Sequence, residues 1–187
     1  QSVAYFRTTA QTWQLATALH GAALAACYQN DSARSQVLTE ESVALLQRIG
    51  DQWWANFVLV DLAMTNHQRG DFALAHSLFE RCLPLARASG DRISITSILA
   101  NLTDLSLLGG DSVRAEEYAH AAMELALDLG EQWQPPRLMR RLALLALQRG
   151  ETEKAIPLCH EALARCRSLH SLHGQSACFV ALAAIQL

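Results

Sequence analysis

The chain has 187 residues, 51% of them hydrophobic and 18% charged, with a net charge of −3. That length and balance describe an ordinary folded domain able to bury its own core. No basic excess or run of like charge points to nucleic acid, and the longest strongly apolar stretch, Leu142 to Gln148, is far too short to span a membrane.

In chain order, the opening QSVAYFRTTA has no basic segment followed by an apolar one, so it does not read as a signal peptide. It matches the close of a later segment, ESVALLQRIG (Glu41 to Gly50), and the pattern predicts the end of a helix over residues 1–10. A Gly-acidic pair then recurs every 20 residues. It stands at Gly50-Asp51, Gly70-Asp71, Gly90-Asp91, Gly110-Asp111, Gly130-Glu131 and Gly150-Glu151, and Asn30-Asp31 holds the same slot. Glycine and asparagine reach the left-handed conformation that closes a helix, and the acid that follows can accept the free N–H groups of the next one. The pair is therefore punctuation between helices.

Every second pair marks off a 40-residue block: 11–50, 51–90, 91–130 and 131–170. Residues 171–187 match a block's beginning, so the chain reads as a piece of a longer array that starts and stops inside helices. Within the blocks the apolar residues keep helical spacing. Ile95, Ile98, Leu99, Leu102 and Leu105 share one face, and Val113, Tyr118, Ala122, Met123 and Ala126 trace another. No period-two alternation predicts a strand. Pro135-Pro136 delays the start of its helix, while Pro84 and Pro157 fall inside helices.

Three columns fix the register. Ala75, Ala115 and Ala155 align with Ser35, and Ser42, Cys82, Ala122 and Ala162 align with one another, so paired helices can approach closely. Trp13, Trp53 and Trp133 share the third position of their blocks with Ile93, and that recurrence predicts packing of one repeat on the next. Trp54 stands outside this column as the one tryptophan suited to a surface contact.

These features resemble the tetratricopeptide repeat (TPR) family: a Leu-small pair in the first helix, Gly-acidic at the turn, and small residues at fixed offsets beyond. The usual TPR period is about 34 residues. The 40-residue form is similar to the longer-helix variant in LuxR/MalT-type bacterial transcription regulators and related signalling ATPases. The resemblance covers the whole chain and implies an all-α right-handed solenoid of antiparallel helical hairpins. Fourteen of the fifteen basic residues are Arg, as in a GC-rich bacterial genome.

The resemblance further implies that the first (A) helix of each hairpin lines a concave groove that binds a protein, a peptide or a small anionic effector. By register, the candidate groove residues are His20, Phe57, Asp61, Asn101, Asp104, Arg137, Arg140 and Arg141. Arg137 and Arg140, three apart, could grip a carboxylate or phosphate together. The Lys-Asn-Arg clamp of co-chaperone TPR domains is absent, since its columns hold His20, Val60, Ala100 and Leu24, Met64, Asp104.

Other chemistry is not indicated. Five cysteines with no C-x-x-C pair read as reduced, buried thiols in a cytoplasm. Cys159 and Cys166 lie about 10 Å apart along a helix, too far to seed a zinc site. No nucleophile elbow, phosphate loop, dinucleotide fingerprint or zinc-protease motif occurs. The expectation is a non-enzymatic, cofactor-free cytoplasmic binding module of a larger bacterial regulator, binding neither nucleic acid nor membrane. The alternative is a scaffold that dimerises through uncapped repeat ends.

Overall fold

The computed structural model describes residues 2–8 and 11–185, so residues 1, 9–10 and 186–187 of the two part-blocks lie outside the described residues. The described residues form helices and no strand. In order these are α1 (Ser2–Thr8), α2 (Thr12–Tyr28), α3 (Ser32–Arg48), α4 (Gln52–Arg69), α5 (Phe72–Ser89), α6 (Arg92–Leu108), α7 (Ser112–Asp128), α8 (Gln134–Gln148), α9 (Thr152–Ser168) and α10 (Leu172–Ile185). They divide into two compact units, Gln1–Asp91 and Arg92–Leu187.

In unit 1, α2 packs along α3 and α4 along α5; α3 meets α4, and the two A helices α2 and α4 touch. In unit 2, α6 pairs with α7, α8 with α9, and α10 lies on α9. Here the A helices α6, α8 and α10 meet in succession. The successive pairs are the helical hairpins that the 20-residue interval predicts.

The turns form as expected. Gly70 has φ 84°, which a side chain would strain. Its N–H donates to the His67 carbonyl at 3.1 Å, and the Asp71 N–H reaches back to Asn66 at 3.0 Å. This double closure satisfies carbonyls that the helix end would leave bare. The Asp71 carboxylate accepts from Leu74 N–H, and Asp31, Asp51 and Asp111 cap their helices likewise. His170 takes the glycine slot before α10 with φ 53°. Glu151 makes no cap bond. Its longer side chain turns to Lys154 Nζ at 2.8 Å. The proline pair moves the start of α8 to Gln134, three residues beyond Glu131.

Small buried residues join the hairpins. Ala75, Ala115, Ala155, Ser42, Cys82, Ala122 and Ala162 are all fully buried, and Ser42 Oγ donates to the Ala16 carbonyl of α2 at 2.7 Å. Ile95, Ile98, Leu99, Leu102 and Leu105 are buried along α6. On α7 the inward stripe differs from expectation. It is Ala115, Ala119, Ala122 and Ala126, and Val113 is exposed.

The tryptophan column also departs from expectation. Trp13, Trp53 and Trp133 are 40, 52 and 63% exposed, and Ile93 70%. They do not pack repeat on repeat. The reason is angular: Ala55 and Pro135, two residues beyond Trp53 and Trp133 and about 200° around the helix, hold the buried side. Trp54 is the partly buried one.

Gly70→Ala and Asp71→Ala should each lower unfolding stability by about 1 kcal/mol, read as earlier urea midpoints with native helical circular dichroism unchanged.

Candidate functional site

In unit 2 the A helices enclose a cleft of about 420 Å³. Asp104 of α6 and Arg137, Arg140 and Arg141 of α8 form its charged side. Trp133 and Pro136 form one wall. Ser171, His173, Gly174 and Cys178, at the start of α10, form the other. Arg137, Arg140 and Arg141 face the same space because positions three and four apart share a helix face.

Asp104 organises the arginines. Its side chain is 7% exposed. Arg137 Nη2 donates to it at 2.6 Å and to Asn101 Oδ1 at 3.1 Å, and Arg141 Nε donates to its other oxygen. Burial pushes the Asp104 carboxyl up, but the two guanidiniums outweigh that and hold it below the usual carboxylate range. Asn101 Nδ2 is in turn tied to the Ser97 carbonyl at 2.8 Å. Asn101 and Asp104, expected as groove contacts, are therefore buried supports.

Arg140 stands apart. It is half-buried, and among the described residues it makes no hydrogen bond or ion pair. Burial, followed by repulsion from Arg141, depresses its pKa, and Asp104 offsets this only in part. The expected Arg137–Arg140 grip thus becomes one held arginine beside one uncompensated arginine. The α10 wall was legible only by carrying the columns into the final part-block, where Ala177 follows Arg137 by 40 residues.

In unit 1, Phe57, Asp61 and His20 come together with three tryptophans. Trp53 and Phe57 stack at 5.8 Å and 10°. Trp54 meets Phe57 edge-on at 5.0 Å and Trp13 at 5.5 Å. His20 lies edge-on to Phe57 at 5.9 Å and places Nε2 3.0 Å from Asp61 Oδ2. Burial lowers the His20 pKa, and the Asp61 charge offsets this only partly. His20 Nδ1 is buried with no partner among the described residues.

The cysteines do not act as nucleophiles. All five are free and buried, and burial pushes Cys82 to about 12 and Cys178 to about 11. No group of three or more metal-ligating side chains occurs among the described residues, and no helix among them is long and apolar enough to cross a membrane.

No protein-family model and no curated protein matches the sequence. Solved structures do. The chain superposes on BtubC (BKLC) from P. vanneervenii with a TM-score of 0.78 at 19% identity, over 98% of this chain and 78% of that one. It matches a signal transduction ATPase with numerous domains (STAND) from Pyrococcus horikoshii, described as having a tetratricopeptide repeat sensor. There the TM-score is 0.78 at 15% identity, over 91% of this chain and 27% of that one. Kinesin light chain TPR-like repeats from Podosopora anserina match with a TM-score of 0.67 at 16% identity, over 90% and 84% of the two chains. The fold is TPR-like. Within this TPR-like fold, the arginine cleft and the aromatic cluster both sit on A helices.

Two outcomes follow. Asp104→Ala leaves Arg137 and Arg141 half-buried without a counter-charge and should cost about 2–3 kcal/mol in urea unfolding. His20 favours its neutral form in the fold, so its contribution is complete above the unfolded value near 6.5 and fades as pH falls through the lower folded value. The melting temperature should fall between about pH 7.5 and 5.5, and His20→Gln should flatten that slope.

Proposed function

We propose that the chain is a non-enzymatic binding module whose unit 2 cleft receives the anionic group of a peptide, a partner helix or a small effector. One observation carries this reading: the half-buried Arg140 guanidinium has no anion of its own. Burying an uncompensated charge is costly, and an incoming carboxylate or phosphate would relieve both the burial penalty and the repulsion from Arg141. Arg137 and Arg141, held by Asp104, supply further N–H donors in fixed positions. Trp133 offers an exposed apolar wall beside them. A cleft of about 420 Å³ suits a small molecule or the tip of a longer chain.

The wider setting proposed is the sensor or interaction region of a larger bacterial transcription or signalling regulator, working in the cytoplasm as four 40-residue repeats between two part-repeats. The STAND structure supports it, since its description pairs a signalling ATPase with a tetratricopeptide repeat sensor. Neither a cofactor nor nucleic acid enters this reading. A second reading, self-association without an effector, is favoured by the exposed Leu172, Phe179 and Val180 of α10.

Native mass spectrometry of the protein purified gently from its own host distinguishes the two. An added mass of a few hundred daltons, lost in Arg140→Gln with the helical content unchanged, is the expected result. A doubled mass with nothing bound, insensitive to Arg140→Gln, would put self-association first.

A further inference from the structure

We infer that the A-helix face of unit 1 is a docking site for an arginine side chain of a protein partner. The site shares no residue with the arginine cleft, so either can fail without the other.

Trp53, Phe57 and Asp61 are spaced i, i+4, i+8 and form one stripe along α4. The first two rings are stacked and roughly half exposed, at 52 and 39%. Four aromatic side chains gathered on a solvent-facing surface are costly to leave wet, and such residues dominate binding surfaces. The stripe ends on a carboxylate. Asp61 has only the His20 imidazole beside it, and burial favours the neutral form of that ring, so its negative charge stays uncompensated. α2 carries no Lys or Arg, and α4 has none before Arg69 at its last residue, where the guanidinium donates to Asn30.

Gly21 of α2 is the second observation. It occupies the same block position as Asp61 and directly follows His20. It is helical and exposed, and a Cβ built on it would meet nothing within 4 Å. Neither backbone conformation nor packing requires glycine there, yet glycine weakens a helix interior. What its absent side chain does is leave bare backbone and open space at the acidic end of the aromatic stripe.

A guanidinium fits this arrangement better than other groups. Its flat faces stack on aromatic rings and its edge donates to a carboxylate. An ammonium satisfies Asp61 but has no flat face for the rings. An uncharged apolar segment would leave Asp61 covered and unpaired, which is unfavourable.

The test uses the intact chain and the indole N–H signals of its four tryptophans in nuclear magnetic resonance, titrated with acetyl-Leu-Arg-Leu-amide. Trp133, in unit 2, serves as the internal control. Saturable shifts of Trp53 and Trp54, with Trp133 unmoved, are expected. The citrulline analogue, which is neutral and nearly isosteric, should bind at least about tenfold more weakly, as should Asp61→Asn with the arginine peptide. Gly21→Leu should raise the melting temperature and abolish the shifts, which a purely structural role for the glycine would not produce. Equal binding of the citrulline peptide, unchanged binding by Gly21→Leu, or no movement of the unit 1 indoles would each overturn the inference.

Discussion

The structure depends on the close approach of the two helices in each hairpin. That approach rests on the small residues buried where they meet: Ala75, Ala115, Ala155, Ser42, Cys82, Ala122 and Ala162. Interaxial distance follows the side chains at the contact, and a large residue at any of these positions would separate the pair. Ser42 shows how tight the fit is, since its hydroxyl reaches a backbone carbonyl of the facing helix. With the inner seam occupied by small groups, much of the aromatic bulk of the A helices lies on other faces. Trp53, Phe57 and Trp133 are left in contact with solvent.

The two units use this common arrangement for opposite chemistry. In unit 2 one buried carboxylate holds two arginines in place, and their neighbour Arg140 is left without a partner. In unit 1 the equivalent α4 positions carry an aromatic stack that ends on Asp61. Corresponding positions make the contrast direct. The column holding Phe57 in unit 1 holds Arg137 in unit 2, and the column with Gly21 and Asp61 holds Asn101 and Arg141. The backbone repeats, and the surface chemistry does not.

The hairpins, their boundaries and the seam residues were legible in the sequence because they depend on short-range rules. A glycine at φ 84° and an aspartate accepting from the N–H three residues later act within a few residues of themselves. Their recurrence every 20 residues gave the register without reference to any distant contact. The same register brought Arg137, Arg140, Arg141 and Asp104 into one list. It could not say which of them pair, because the Asp104 bonds span 33 and 37 residues and depend on where α6 and α8 meet.

The tryptophans mark that limit most clearly. Recurrence at one block position fixes an angle around the helix, but not which neighbour, if any, covers that angle. Ala55, two residues on from Trp53, takes the buried side and leaves the tryptophan outside. The α10 wall of the cleft was likewise decided by packing, since residues from Ser171 to Cys178 face the arginines only once α10 lies beside α8. The sequence by itself determined the helices, their turns and their seams, because those are local consequences of residue type. Which charges are satisfied and which rings stay wet was decided only by the tertiary structure, because burial and pairing depend on neighbours brought in from other helices.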